Sequence, residues 1–167
     1  MDMLTNIELE LKNALLTIGG TSIFGYDYYN NVTIVNVEDE AVAVEFGQYP
    51  TIAVYLSERE PIISQNSGAY NNRPQFKLVC DVALEQTEDI ENPRFQINQK
   101  MNEMLSDIKA VIHINNTLNC ACNEIMIVDS FRTYNTDGDM YRVGQLNVML
   151  SVDYAQSKLN PNLSCPM

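Results

Sequence analysis

Hydrophobic positions recur at steps of three and four from Ile97 onward. Ile97, Met101, Met104, Leu105, Ile108, Val111 and Ile112 fall on one stripe, which predicts an amphipathic helix whose apolar side must be buried. Asn98, Gln99, Asn102, Glu103, Asp107 and Lys109 lie mostly between them and are expected to face water. The period then changes. Ile125, Ile127 and Val128 begin a β-branched run over residues 124–134, and residues 143–154 alternate. Leu146, Val148, Leu150, Val152 and Tyr154 share one side of that second run, ready to cover the helix. Val143, Gln145, Asn147, Met149, Ser151 and Asp153 take the other side in part. Asp137-Gly138 between the runs suits a hairpin turn, which needs residues that tolerate positive φ. Residues 97–154 thus read as one helix with two strands folded back beneath it.

The N-terminal half supplies elements to pack against that unit. Leu4, Ile7, Leu11, Leu15 and Ile18, with Ala14 alongside, predict a first helix over residues 4–18. Thr5 or Asn6 can cap it, Glu8 and Glu10 suit its first turn, and Gly19-Gly20 ends it. Residues 21–31 form a loop whose Tyr26, Tyr28 and Tyr29 are candidate interface anchors. Residues 32–37 read as a strand with Val32, Ile34 and either Val35 or Val37 inward. Residues 41–46 read as another, with the acidic turn Glu38-Asp39-Glu40 between the two. Tyr49-Pro50 leads into a strand over residues 51–56. Residues 57–74 read as a long irregular connection carrying the cations Arg59 and Arg73. Phe76, Leu78, Cys80, Val82 and Leu84 line one face of the next strand, and residues 86–93 form an acidic connector. Residues 157–167 are expected to be a polar tail with little to hold them. The expected class is α+β, a mostly antiparallel sheet with two main helices packed on one face, in a single domain over residues 1–156.

Composition narrows the function. With 167 residues and 46% hydrophobic content, one well-cored domain is expected. A formal net charge of −12 argues against a general grip on nucleic-acid phosphates, but suits a surface past which DNA slides. Asp2 and Glu8 stand where a signal peptide would be basic, and no run approaches the roughly 20 apolar residues of a membrane span. Four cysteines do not make a disulfide scaffold, so a cytosolic, thiol-reduced chain is expected.

Candidate chemistry is sparse. Cys120 and Cys122 near the single His113 offer three ligands for zinc; Cys80 or Cys165 would have to complete the four that structural sites use. His113 also suits a helix C-terminus, and as a general base it lacks an evident nucleophile. Asn135, Asp137 and Asp139 offer oxygens at alternate positions, but the glycine and distal glutamate of a calcium loop are out of register. No phosphate-binding glycine loop or serine nucleophile elbow is present. No catalytic, cofactor or metal residue is therefore assigned, and the chain is expected not to be an enzyme.

The order of these segments resembles the tail terminator, or tail-completion, proteins of long-tailed bacteriophages. The likeness spans roughly residues 4–154. It is carried by the opening helix Ile7-Glu8-Leu9-Glu10-Leu11-Lys12-Asn13-Ala14-Leu15 and by Tyr49-Pro50 entering a strand. The long connection, the strand 76–84, and Ile108-Lys109-Ala110-Val111-Ile112 running through Asn115-Asn116-Thr117-Leu118 continue it. Leu150-Ser151-Val152-Asp153-Tyr154 is similar to that family's final strand. Where relatives often place glycine after the Thr-Leu pair, this chain has Asn119-Cys120-Ala121-Cys122. The resemblance implies a non-enzymatic ring, usually a hexamer, at the junction of tail and neck in a virion assembled in the host cytoplasm. Such a ring ends tube polymerisation. Its implied partners are its own copies, the tail tube protein, a head connector or neck protein, and in contractile tails the sheath; DNA passes through the lumen unbound, and no membrane or cofactor is involved. Glu38, Asp39, Glu40 and Glu45 are candidates for the lumen or ring face. Tyr26, Tyr28, Tyr29, Arg59 and Arg73 are candidates for partner contact, as is the tail. The alternatives are another head–tail joining protein of similar fold, or a small metal-binding enzyme using His113, Cys120 and Cys122.

Overall fold

The computed structural model describes residues 2–18, 32–35, 51–56, 61–84, 92–135 and 143–159. The elements among them are α1 (Met3–Leu16), β1 (Val32–Val35), β2 (Thr51–Leu56), β3 (Ile62–Gln65), β4 (Ala69–Asn72), β5 (Gln75–Ala83), α2 (Pro93–Ile114), β6 (Glu124–Asn135) and β7 (Val143–Ser157).

The sheet is built around β7. This fifteen-residue strand is antiparallel to β6 on one edge, and to β5 and then β4 on the other. β4 and β5 behave as one interrupted strand: Ala69 pairs with Ser157 and Ala83 with Val143, with no change of register between them. The interruption falls at Arg73-Pro74. Pro74 accepts from Val152 N at 3.0 Å, but having no N–H it cannot donate back, so the ladder lapses there. β2 is antiparallel to β5 and β3 to β4, while β1 joins the margin parallel to β2. The result is α+β with a mostly antiparallel sheet, and both helices pack on one face of it.

Each helix follows from its stripe and its caps. In α1, Met3, Ile7, Leu11, Ala14 and Leu15 are buried, as is Ile18 just beyond. The cap is Asp2 rather than Thr5 or Asn6. Thr5 N donates to Asp2 Oδ1 at 3.0 Å and Thr5 Oγ1 to Asp2 Oδ2 at 2.7 Å. Met3 joins the buried stripe, the helix starts one residue earlier than expected, and Glu8 and Glu10 fall outside its first turn. α2 begins at Pro93, whose fixed φ suits the first helical position, with Asn92 accepting from Phe95 N. All seven apolar stripe residues are buried. Asp107 departs from the expected pattern: it is 5% exposed rather than solvated.

One core joins the elements. The stripes of α1 and α2 meet Ile52, Val54, Phe76, Leu78, Cys80, Val82, Leu146, Val148, Leu150, Val152 and Tyr154. Gly144 makes the closest approach possible. A Cβ there would stand 2.9 Å from Ile97 Cγ1 and 3.1 Å from both Met101 Cε and Met101 Sδ, so only glycine lets α2 settle onto this end of β7. On the opposite face Ala53, Tyr55 and Val79 form a small second cluster, and Asp81, Asn147 and Ser151 are buried. Gln145 Nε2 donates to Asp81 Oδ1 at 2.9 Å, while Asn147 Oδ1 and Ser151 Oγ have no hydrogen-bond partner among the described residues.

Candidate functional site

Residues 61–74, expected as an irregular loop, form a hairpin that prolongs the sheet past its helix-covered part. β3 and β4 are joined at Asn66-Ser67-Gly68, where Asn66 Oδ1 accepts from Gly68 N at 2.9 Å and from Ala69 N at 2.8 Å. An asparagine bonding the backbone two and three residues on makes a tight turn without further support. The hairpin is anchored to the end of β7: Lys158 N donates to Gly68 O at 2.9 Å, and the Lys158 ammonium lies 4.6 Å from the centre of the Tyr70 ring. Ser157, expected in the tail, is the last residue of β7.

Two margins of this sheet present apolar side chains to solvent. All four residues of β3 are exposed, with Ile62 at 58% and Ile63 at 45%. On the far margin β6 pairs only with β7 among the described residues. Met126, Val128 and Phe131 stand exposed on it, and a register shift between Ile127 and Asp129 kinks the strand. Phe95 at one end of α2 and Ile114 at the other are exposed as well.

A half-open cleft of about 340 Å³ lies where the hairpin, the end of β7 and the turn after α2 meet. Ile63, Ser64, Asn71, Asn72, Asn116, Asn123, Glu124, Asp153 and Tyr154 line it. Beside it Arg73 binds Asp153 in a two-pronged pair, Nε to Oδ1 at 2.6 Å and Nη2 to Oδ2 at 2.8 Å. Those bonds to Asp153, followed by the field of Glu124, raise the Arg73 guanidinium above its usual range. Arg73, a candidate for partner contact, therefore has its charge engaged by its own chain.

The turn entering β6 has an unusual backbone. Leu118, Asn119 and Cys120 all have positive φ, at 46°, 54° and 66°. Only glycine and, less readily, asparagine take that region cheaply, so this stretch is held left-handed by other means. Leu118 is buried, and backbone bonds from Leu118 N to Asn115 O and from Ala121 N to Leu118 O close the turn. Cys120 is exposed and Cys122 buried. Burial, helped by Asp153 and Glu124, pushes the Cys122 thiol up to about 12, so it stays protonated at neutral pH and is a poor nucleophile or metal ligand. His113 is exposed in the last turn of α2. Among the described residues no three His, Cys, Asp or Glu side chains gather closely enough to hold a metal ion, and no helix is long and apolar enough to cross a membrane.

No model of a known protein family matches this chain, and no curated protein matches it.

Of the residues singled out from the sequence, Tyr26, Tyr28, Tyr29, Glu38, Asp39, Glu40, Glu45 and Arg59 lie outside the described residues. The strand over 41–46, Asp137, Asp139 and Cys165 lie outside them too. The sequence reading missed Ile62 and Ile63 as exposed strand residues, and Asn72 as a buried carboxamide. A signal for the hairpin was present: Asn66-Ser67-Gly68 is turn chemistry, with β-branched Ile62-Ile63 just before it.

Proposed function

We propose that this chain is a structural subunit of a bacteriophage virion, a tail-terminator-like protein. It closes into a ring, on the resembled pattern a hexamer, on the last layer of the tail tube. There it ends tube polymerisation and presents a docking face to the head connector. The reading rests on the order of segments that resembles that family. One structural observation supports it: two margins of a single sheet, the β3 hairpin and β6, each expose a row of apolar side chains on extended backbone. Surfaces of that kind are uncommon on a protein that acts alone. Because the two margins differ, a contact between them is heterologous, and repeated contacts of that type close into a ring when the rotation allows. In the assembled ring the acidic surface lets DNA pass without sticking.

The test is sizing chromatography with light scattering on the purified chain, followed by negative-stain microscopy with isolated tail tubes. Rings seated on tube ends are the expected result. Rings that ignore tubes and bind only filled heads would move the chain to the neck. A monomer at all concentrations that never decorates either structure would overturn the reading.

A further inference from the structure

We propose that the helix-free face of the sheet, along β6 and β7, receives the β3 hairpin of a second copy of this chain. This contact rests on the ring proposed for the chain and gives its subunits their meeting surfaces. Leu146, Val148, Leu150 and Val152 of β7 enter the core, so Asn147 and Ser151 between them point to the other face. Both are buried, at 1% and 4% exposed, yet Asn147 Oδ1 and Ser151 Oγ have no hydrogen-bond partner among the described residues. The rest of the Asn147 carboxamide is engaged. Its Nδ2 donates to Gln145 Oε1 at 3.3 Å, and Gln145 donates in turn to Asp81. What Asn147 lacks is a donor. Atoms of this kind lose their hydration without return, and a native chain rarely carries two on one strand.

The register sets both atoms beside an apolar patch. Met126 of β6 lies opposite Ser151, and Phe131 opposite Asn147, and cross-strand partners share a face. Met126 is 38% and Phe131 45% exposed. One face thus holds apolar surface without cover next to polar atoms without donors. Charge selects what covers it. Copies that each carry a net −12 repel one another, and the exposed Asp129 between Met126 and Phe131 turns away an acidic segment. Residues 62–72 contain no Asp, Glu, Lys or Arg. Their strand β3 exposes Ile62 and Ile63 as apolar surface and brings donors in the Ser64 hydroxyl and the Gln65 carboxamide. Ser64 Oγ accepts from Asn71 Nδ2 at 2.6 Å, which leaves its own proton to donate elsewhere. Hairpin and receiving face are different surfaces, so the contact is heterologous, as a ring requires.

The experiment mixes two full-length variants, one with the face blocked by Met126→Asp and Phe131→Asp, the other with the hairpin blocked by Ile62→Asp and Ile63→Asp. Each alone is expected to be a folded monomer. Together they retain one intact face and one intact hairpin, so sizing chromatography with light scattering is expected to show a one-to-one dimer and nothing larger. The chain has no tryptophan, so Phe131→Trp in the hairpin-blocked variant reports the face. Its emission is expected to move to the blue when the face-blocked variant is added, and to stay put when more of itself is added. Ser151→Ala in the hairpin-blocked variant is expected to weaken this association about fivefold, as for one hydrogen bond, without lowering that monomer's thermal midpoint. A mixture that yields no dimer, or association undiminished by Ser151→Ala, would overturn the contact. Native rings that survive the face-blocking changes would overturn it and leave the ring standing. A native chain that stays monomeric would overturn both, whereas the one-to-one dimer with native rings that ignore tail tubes would uphold the contact and reject the terminator role.

Discussion

Single residues carry constraints that the surrounding pattern does not announce. Gly144 sits in a strand, where glycine ordinarily weakens pairing, and it is needed for space rather than for backbone freedom. Gly144→Ala is expected to lower stability by about 1–3 kcal/mol, the usual range for overpacking, because Ile97 is branched at Cβ and its Cγ1 cannot swing away as the end of Met101 can. Urea denaturation of the two proteins measures it. Asp81 makes a different case. Burial raises its carboxyl above the ordinary 3.8, and the bond from Gln145 only partly offsets this. A group whose folded value is raised contributes its stability below the unfolded value and loses it as pH rises through the folded one. Asp81→Asn removes that loss. The variant is therefore expected to gain on the native chain as pH rises from 3 to 7, with the smallest difference at the acid end. Thermal midpoints across that range test the sign.

Elements are decided partly by local chemistry and partly by what they meet. The α2 stripe was legible because 3.6-residue periodicity survives any detail of packing, and each of its seven apolar positions is buried. The α1 cap was misplaced because Asp2 and Thr5 are both competent caps, and only the burial of Met3 chooses between them. The left-handed turn at Leu118, Asn119 and Cys120 lies between α2 and β6, and its strain is maintained by the burial of Leu118. Cys120→Gly is expected to raise stability by up to about 1 kcal/mol, since glycine occupies that region at no steric cost. Cys120→Val is expected to lower it, since a β-branched residue is most strained there. Chemical denaturation of the pair gives opposite signs if the turn forms as described, and matching signs if it does not.

At the scale of the whole molecule, the hairpin and β6 are the features that ask for a partner. Ile62 and Ile63 bury little within the chain, so replacing both with aspartate is expected to leave the thermal midpoint nearly unchanged, a surface effect of about 0.5 kcal/mol or less. The same double variant is expected to shift the sizing profile from ring to smaller species. A ring that survives with two buried charges at that margin would locate the subunit contact elsewhere.

The candidate site was less legible than the fold. Arg73 was picked out as a scarce cation in an apparent loop, yet its charge is spent on Asp153, eighty positions away. No local pattern announces such a pairing. Asn72 reads as an ordinary polar residue in an asparagine-rich stretch, and its burial exists only because the end of β7 passes beside β4. The same holds for Ile62 and Ile63, whose two isoleucines suggest a core that the hairpin never provides.

By itself the sequence determined the class of fold, the two helical stripes, the strands over 51–56 and 143–154, and the acidity of the chain. Period and composition are properties of neighbouring residues, and they act before any distant contact forms. Tertiary structure alone decided the single register running through β4, β5 and β7, the bare margins of the sheet, and the gathering of Asn72, Asn116, Asn123 and Glu124 around one cleft. Those depend on which segments lie side by side after the chain closes on itself, and burial of the shared core, not local preference, fixes that choice.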